Sequence, residues 1–142
     1  MEPLLLRAVE IEVAALGPGH PVVAVRLGNA ATFDRQQSRP DLAIALLERA
    51  IVILETAHGP ENRLLPPQLT PLALADQARG DHARAVAIWE RIVAIQQGRV
   101  GRDHPSLAPY LEHFARCTEE TGDRAGAAAL RARAARLAAP AP

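Results

Sequence analysis

At 142 residues, 49% of them hydrophobic, the chain is long enough for one domain with its own core. It is alanine-rich and only 3% aromatic, which points to close-packed helices rather than sheets. Sixteen basic and sixteen acidic side chains cancel, which excludes the electrostatic footprint of a general nucleic-acid binder.

Residues 2–16 open the chain as an expected helix, with Leu4, Leu5, Ala8 and Ile11 on one face and Arg7, Glu10 and Glu12 off it. Its apolar run has no basic leader and is followed by glutamates, so it does not read as a signal peptide. No stretch approaches the roughly 18 uncharged apolar residues of a bilayer span, and a soluble, cytoplasmic chain with no membrane partner is expected. Every basic residue is arginine, a bias that fits a GC-rich, bacterial coding sequence.

Gly17-Pro18-Gly19-His20-Pro21 then forms a long turn, which recurs as Gly59-Pro60-Glu61-Asn62-Arg63 and Gly101-Arg102-Asp103-His104-Pro105 at intervals of 42 residues. Each glycine supplies the left-handed residue that ends a helix, and a proline at the far side starts the next. The middle copy carries Arg63 in place of that proline, so its second half has drifted. Helices are expected at 21–37 and 41–57, with Ser38 or Asp41 capping the second. Pro66, Pro67 and Pro71 argue for a short helix from Pro71 to Arg79 with Thr70 as its N-cap. Gly80-Asp81 and Gly122-Asp123 make short turns into helices 82–97 and 124–138, and helix 105–121 lies between them. The domain reading is a single unit, 1–139: a half repeat 1–16, hairpins 21–57, 63–98 and 105–138, and a frayed tail 140–142.

The 42-residue period sorts residues into columns. Leu4, Leu46, Ile88 and Leu130 share one, and Ile11, Ile53, Ile95 and Leu137 another; Leu27, Leu69 and Leu111 match in the first helix of each hairpin. Small residues at Ala31, Ala73 and Ala115, and at Ala43, Ala85 and Ala127, let two helices approach closely. Enlarging one of them, as in Ala31→Leu or Ala85→Phe, is expected to cost on the order of 1 to 3 kcal/mol. Leu5, Leu47 and Trp89 are followed in their column by Arg131, so the last helix reads as a polar cap. The first helix has no such protection. Either a longer array precedes it, or Leu4, Leu5 and Ala8 are covered by a partner or by a second copy in a homodimer.

These columns resemble the tetratricopeptide repeat, and the long turn resembles the kinesin light chain variety, whose units exceed the ordinary ~34 residues. The phrases that carry the resemblance are Glu2-Pro3-Leu4-Leu5-Leu6-Arg7-Ala8-Val9-Glu10-Ile11, Leu16-Gly17-Pro18-Gly19-His20-Pro21 and Gly80-Asp81-His82-Ala83-Arg84-Ala85. Pro71 and His113 depart from the family asparagine kept at Asn29, and Asp34 stands where an aromatic is usual. The resemblance implies an all-α, right-handed solenoid of antiparallel helix hairpins, about seven helices in all. It also implies a concave groove lined by the first helix of each hairpin. That groove would present Gly28, Asn29, Thr32 and Arg35, then Thr70, Leu74 and Gln77, then Glu112, His113, Arg116 and Glu119.

Other chemistry finds little support. No histidine pair has metal-ligand spacing beside a carboxylate, so no metal or cofactor is expected; there is no phosphate loop or nucleophile elbow. Ser38 and Ser106 are explained by capping. Cys117, alone, reads as a small buried hydrophobe. The arginines of the last helix favour its dipole rather than a lipid surface. The expectation is a non-enzymatic scaffold that binds a protein or peptide segment in its groove. The alternatives are a C-terminal regulatory array of a bacterial signalling ATPase and a module self-associating through the first helix.

Overall fold

The structure, a computed structural model, describes residues 2–139, with side chains described from Arg7 onward. Leu4 and Leu5 of the expected self-association stripe, and the tail 140–142, lie outside the described side chains. The helices are α1 (Glu2–Leu16), α2 (Pro21–Gln36), α3 (Pro40–His58), α4 (Pro66–Ala78), α5 (His82–Val100), α6 (Ala108–Glu120) and α7 (Arg124–Ala138). A 3-10 turn, Pro105–Leu107, leads into α6, and no strand occurs among the described residues. Each helix packs on the next, and α2 also reaches α4. The result is a solenoid in which α2–α3, α4–α5 and α6–α7 are hairpins and α1 stands before them alone.

The long turns work as their glycines dictate. Gly17, Gly59 and Gly101 have φ of 93°, 93° and 94°, in the left-handed region. Three residues later the chain uses a second repeated device: the side chains of His20, Asn62 and His104 each accept the backbone N–H two residues ahead, at 3.1, 2.9 and 3.1 Å. Asn62 thus does in the middle turn what histidine does in the outer two. The proline half of that turn has drifted, but its hydrogen bond has not.

Two sequence expectations need correction. The fourth helix starts at Pro66, not Pro71, and Thr70 is no cap. Pro66 and Pro67 fill the first two helical positions, whose N–H groups would be unbonded anyway, so they begin the helix without loss. Pro71 inside it forfeits one backbone bond, and the run remains helical while Leu69, Leu72 and Ala73 stay buried. Neither Ser38 nor Asp41 caps α3, whose N-cap is Arg39 with Pro40 behind it. Ser38 instead ends α2 with φ of 59°, the conformation its column mates Gly80 and Gly122 take at 83° and 97°.

Packing follows the columns. Ala31, Ala73, Ala115, Ala43 and Ala85 are fully buried at the helix contacts, and Ala127 nearly so. Leu47 and Trp89 are buried, whereas Arg131 is exposed and pairs with Glu119. A main core runs from Val9 to Cys117, and a smaller one gathers Val93, Leu107, Leu111, Ala134 and Leu137. Tyr110 and Phe114 touch both. Truncating a buried leucine such as Leu47 to alanine carries a cost of roughly 2 to 5 kcal/mol.

Arginines fasten one hairpin to the next. Arg91 of α5 donates to the Pro60 carbonyl at 2.9 Å and pairs with Glu55 at 3.4 Å. One period on, Arg133 of α7 donates to the Arg102 carbonyl at 2.9 Å and to Gln97. Arg49 shares their column, but Val13 stands where they have Glu55 and Gln97, and Arg49 is exposed.

Candidate functional site

The first helices of the hairpins divide cleanly into two faces. Columns 24, 27, 31 and 34, each continued at intervals of 42 residues, are buried in all three helices, as are Val23 and its column mates Leu65 and Leu107, which directly precede α4 and α6. Columns 25, 29, 32, 35 and 36 are exposed or half-exposed in all three, so α2, α4 and α6 turn one shared face to solvent. Helical geometry places these outward columns on one stripe because they recur at three- and four-residue spacing.

Most groove residues implied by the family resemblance lie on this face, in unequal states. Asn29, Glu112 and Arg116 are exposed; Thr70 and Leu74 are half-buried, with Leu74 against the main core. Thr32 spends its hydroxyl within its own helix, donating to the Gly28 carbonyl at 3.0 Å. Glu119 is engaged by Arg131, which holds its carboxyl below the usual carboxylate range. Arg35 is half-buried, and its Nε is buried without a hydrogen-bond partner. Gly28 is removed from the surface: the Gln68 carboxamide lies over it, so close that a Cβ there would sit 2.3 Å from Oε1.

Gln77 and His113 are joined through a residue that was expected only in the core. Trp89, fully buried, donates its indole N–H to Gln77 Oε1 at 3.2 Å and stacks on His113 with ring centroids 4.7 Å apart. Burial, reinforced by Arg116, pushes the His113 pKa down, so the ring is neutral near pH 7. Cys117 is also buried, and burial raises its pKa, which keeps the thiol protonated.

Two buried carboxylates were not expected. Asp34 and Asp76 occupy one column, continued by Thr118, and all three are buried. Asp76 lies 3.4 Å from Arg84 Nε, and Arg84 also pairs with Glu48 of α3. Burial outweighs Arg84 and raises the Asp76 pKa. Asp34 pairs with Arg39 at 3.6 Å. Their repetition at the period was the available sequence signal; it was masked because a family aromatic, not a carboxylate, is usual there.

The outward face also contains an apolar cavity of about 350 Å³ lined by Val22, Val25, Leu54, Leu64, Pro67 and Gln68. It too was missed, although Val22 and Leu64 share one column and Val25 and Pro67 the next.

His104 Nδ1 lies 2.7 Å from Ser106 Oγ, but the same nitrogen accepts the Ser106 N–H, which makes this a helix-start contact. Among the described residues no group of three His, Cys, Asp or Glu side chains converges to hold a metal ion. No described helix is long and apolar enough to cross a membrane.

Comparison with known proteins agrees with this architecture. Residues 70–106 match the tetratricopeptide repeat family model. A crystal structure of a Podosopora anserina putative kinesin light chain with nearly identical TPR-like repeats superposes with a TM-score of 0.80 at 26% identity, covering 96% of this chain and 64% of that one. A point variant of the same protein gives 0.81. BtubC (BKLC) from P. vanneervenii gives 0.87 at 20% identity, covering 99% of this chain and 59% of that one. The chain thus spans about two thirds or less of these neighbours' lengths. No curated relative matches it. Residues 70–106 thus carry the tetratricopeptide repeat signature, and the chain as a whole has the solenoid fold of solved neighbours that are kinesin light chain-like.

Proposed function

We propose that the chain is a protein-interaction scaffold that holds an extended protein segment along the concave face formed by α2, α4 and α6. The observation that carries the reading is the shared outward face: the same columns stay accessible in all three helices while their neighbours are buried. Repeats of this kind generally bind protein partners. Asn29, Thr70, Glu112 and Arg116 supply polar contacts of both signs, and the Gln77–Trp89–His113 unit supplies a rigid centre. The mixture suits a segment bearing both charges and apolar groups. Arg116→Glu, at an exposed side chain, is expected to lower capture of a partner from the native lysate without changing the melting temperature. Equal capture by both proteins would refute the reading.

A second reading rests on α1. Ile11 is 60% exposed, while its column mates Ile53, Ile95 and Leu137 are 8%, 5% and 7% exposed. In the three hairpins this position is buried, and on α1 it is open. We infer a self-association face of α1 around Ile11 and Ala8, continuing toward Leu4 and Leu5. Ile11→Glu is expected to convert a dimer to a monomer in sedimentation; an unchanged mass rules the interface out.

A further inference from the structure

The cavity on the outward face lies between the first pair of hairpins, and the 42-residue register shows how the next pair differs there. Gln68 shares a column with Tyr110, and Leu54 shares one with Gln96. In the next pair of hairpins Tyr110 fills the corresponding space: it packs against both cores, and its hydroxyl accepts a hydrogen bond from Gln96 Nε2 at 3.4 Å. Between α2 and α4 the aromatic ring is missing. Gln68 folds down over Gly28 instead, and the cavity stays open in front of Val22, Val25 and Leu64, which are 36%, 53% and 42% exposed.

The chemistry of the lining narrows what fits. No charged side chain contributes to it, so a charged group would enter without a counterion. The far wall is buried Leu54, where the next hairpin pair has Gln96 to meet a hydroxyl. One polar atom is unsatisfied: Gln68 Oε1 is buried with no hydrogen-bond partner, and it needs a donor. The cavity is also continuous with the face proposed to bind a segment, because Val22, Val25, Asn29 and Thr32 follow one another along α2.

We propose that this pocket takes a phenylalanine side chain of the protein segment bound along α2, α4 and α6, a proposal that rests on that reading of the face. The phenyl ring occupies the space that Tyr110 fills in the next hairpin pair. A backbone N–H of the same segment supplies the donor that Gln68 Oε1 lacks and draws the carboxamide off Gly28. Tyrosine is selected against, because Gln68 Oε1 is taken by the backbone N–H and the hydroxyl at the far end of the ring meets Leu54, which offers no partner; an unpaired buried hydroxyl weakens binding by roughly tenfold or more.

The test is a titration of the intact chain with N-acetyl-phenylalaninamide, followed by the methyl resonances in two-dimensional NMR. Saturable shifts confined to Val22, Val25, Leu54 and Leu64 are expected, with N-acetyl-tyrosinamide about tenfold weaker. Val25→Glu should abolish them at an unchanged melting temperature, and Gln68→Tyr should abolish them by refilling the space from within. Absent shifts, equal response to the two probes, or shifts that survive Val25→Glu would overturn the proposal. A dimer that Val25→Glu converts to a monomer would assign the pocket to a second copy and overturn it as well. The probe needs no segment, so a failed pocket shows in the titration, whereas a failed segment reading shows in the Arg116→Glu capture. A pocket that takes the probe in a chain that captures no segment overturns the segment as occupant.

Discussion

His113 of α6 lies flat on Trp89 of α5, with ring planes 7° from parallel and centroids 4.7 Å apart. The pair ties the second hairpin to the third directly beneath the outward face, and stacking of this kind contributes roughly 0.5 to 1.5 kcal/mol beyond area burial. Because Trp89 is the sole tryptophan, its fluorescence reports on this one contact.

The stack sets a pH dependence. Burial lowers the His113 pKa in the fold, so the folded chain binds fewer protons than the unfolded one in the window below 6.5. The stability it contributes is complete above 6.5 and is lost as pH falls through the lower folded value. Arg116 and Glu112 are the charged neighbours that tune it, and Arg116 acts in the same direction as burial. His113→Phe keeps a ring on Trp89 and removes the proton. The variant should lose less melting temperature than the wild type between pH 7.5 and 5, and identical pH profiles would contradict the assignment.

Asp76 should act in the opposite sense. Its pKa is raised above 3.8, chiefly by burial, against the opposing pull of Arg84 and Arg79. The folded chain then binds more protons than the unfolded one, so stability falls as pH rises from 3.8 through the raised value. Asp76→Asn removes this decline, and urea midpoints for the variant should depend less on pH between 4 and 7. A variant weaker than the wild type at every pH by the same margin would mean that the attraction of Arg84 offsets burial and leaves no net shift at Asp76.

The arginine column offers a contrast within one protein. Arg133 bonds both Gln97 and the Arg102 carbonyl, whereas exposed Arg49 of the same column has Val13 in place of such a partner. Arg133→Ala should cost about 1 to 2 kcal/mol in chemical denaturation. Arg49→Ala should stay within about 0.5 kcal/mol. Equal losses would show that the turn carbonyl bond contributes nothing.

The parts of the fold that were legible in sequence are those set by local backbone chemistry. Gly17, Gly59 and Gly101 announce the long turns because a positive φ is costly for other residues, and the columns Leu27, Leu69, Leu111 and Ala31, Ala73, Ala115 are buried in every copy. Ser38 hid its part, since it takes a left-handed conformation where the other copies have glycine. The start of α4 was misplaced because three prolines in six residues look like a break, although two of them sit where a helix needs no donor.

The candidate site was less legible because it depends on what neighbouring helices lay over it. Gly28 is on the outward side of α2, but Gln68 from α4 covers it. His113 aligns with Asn29, yet its ring turns to Trp89 because α6 packs on α5 there. The cavity beside Val25 follows from a comparison across the period, with Tyr110 present in one copy and Gln68 in another.

The most direct test of the scaffold account is a selection of random displayed peptides on the immobilised chain, with the enriched peptides then titrated in solution against Trp89 fluorescence. The account predicts peptides that bind the wild type, change the fluorescence, keep their affinity for Arg49→Glu and lose roughly tenfold or more on Arg116→Glu. A selection that enriches nothing, or peptides that bind the wild type and Arg116→Glu alike, would contradict it.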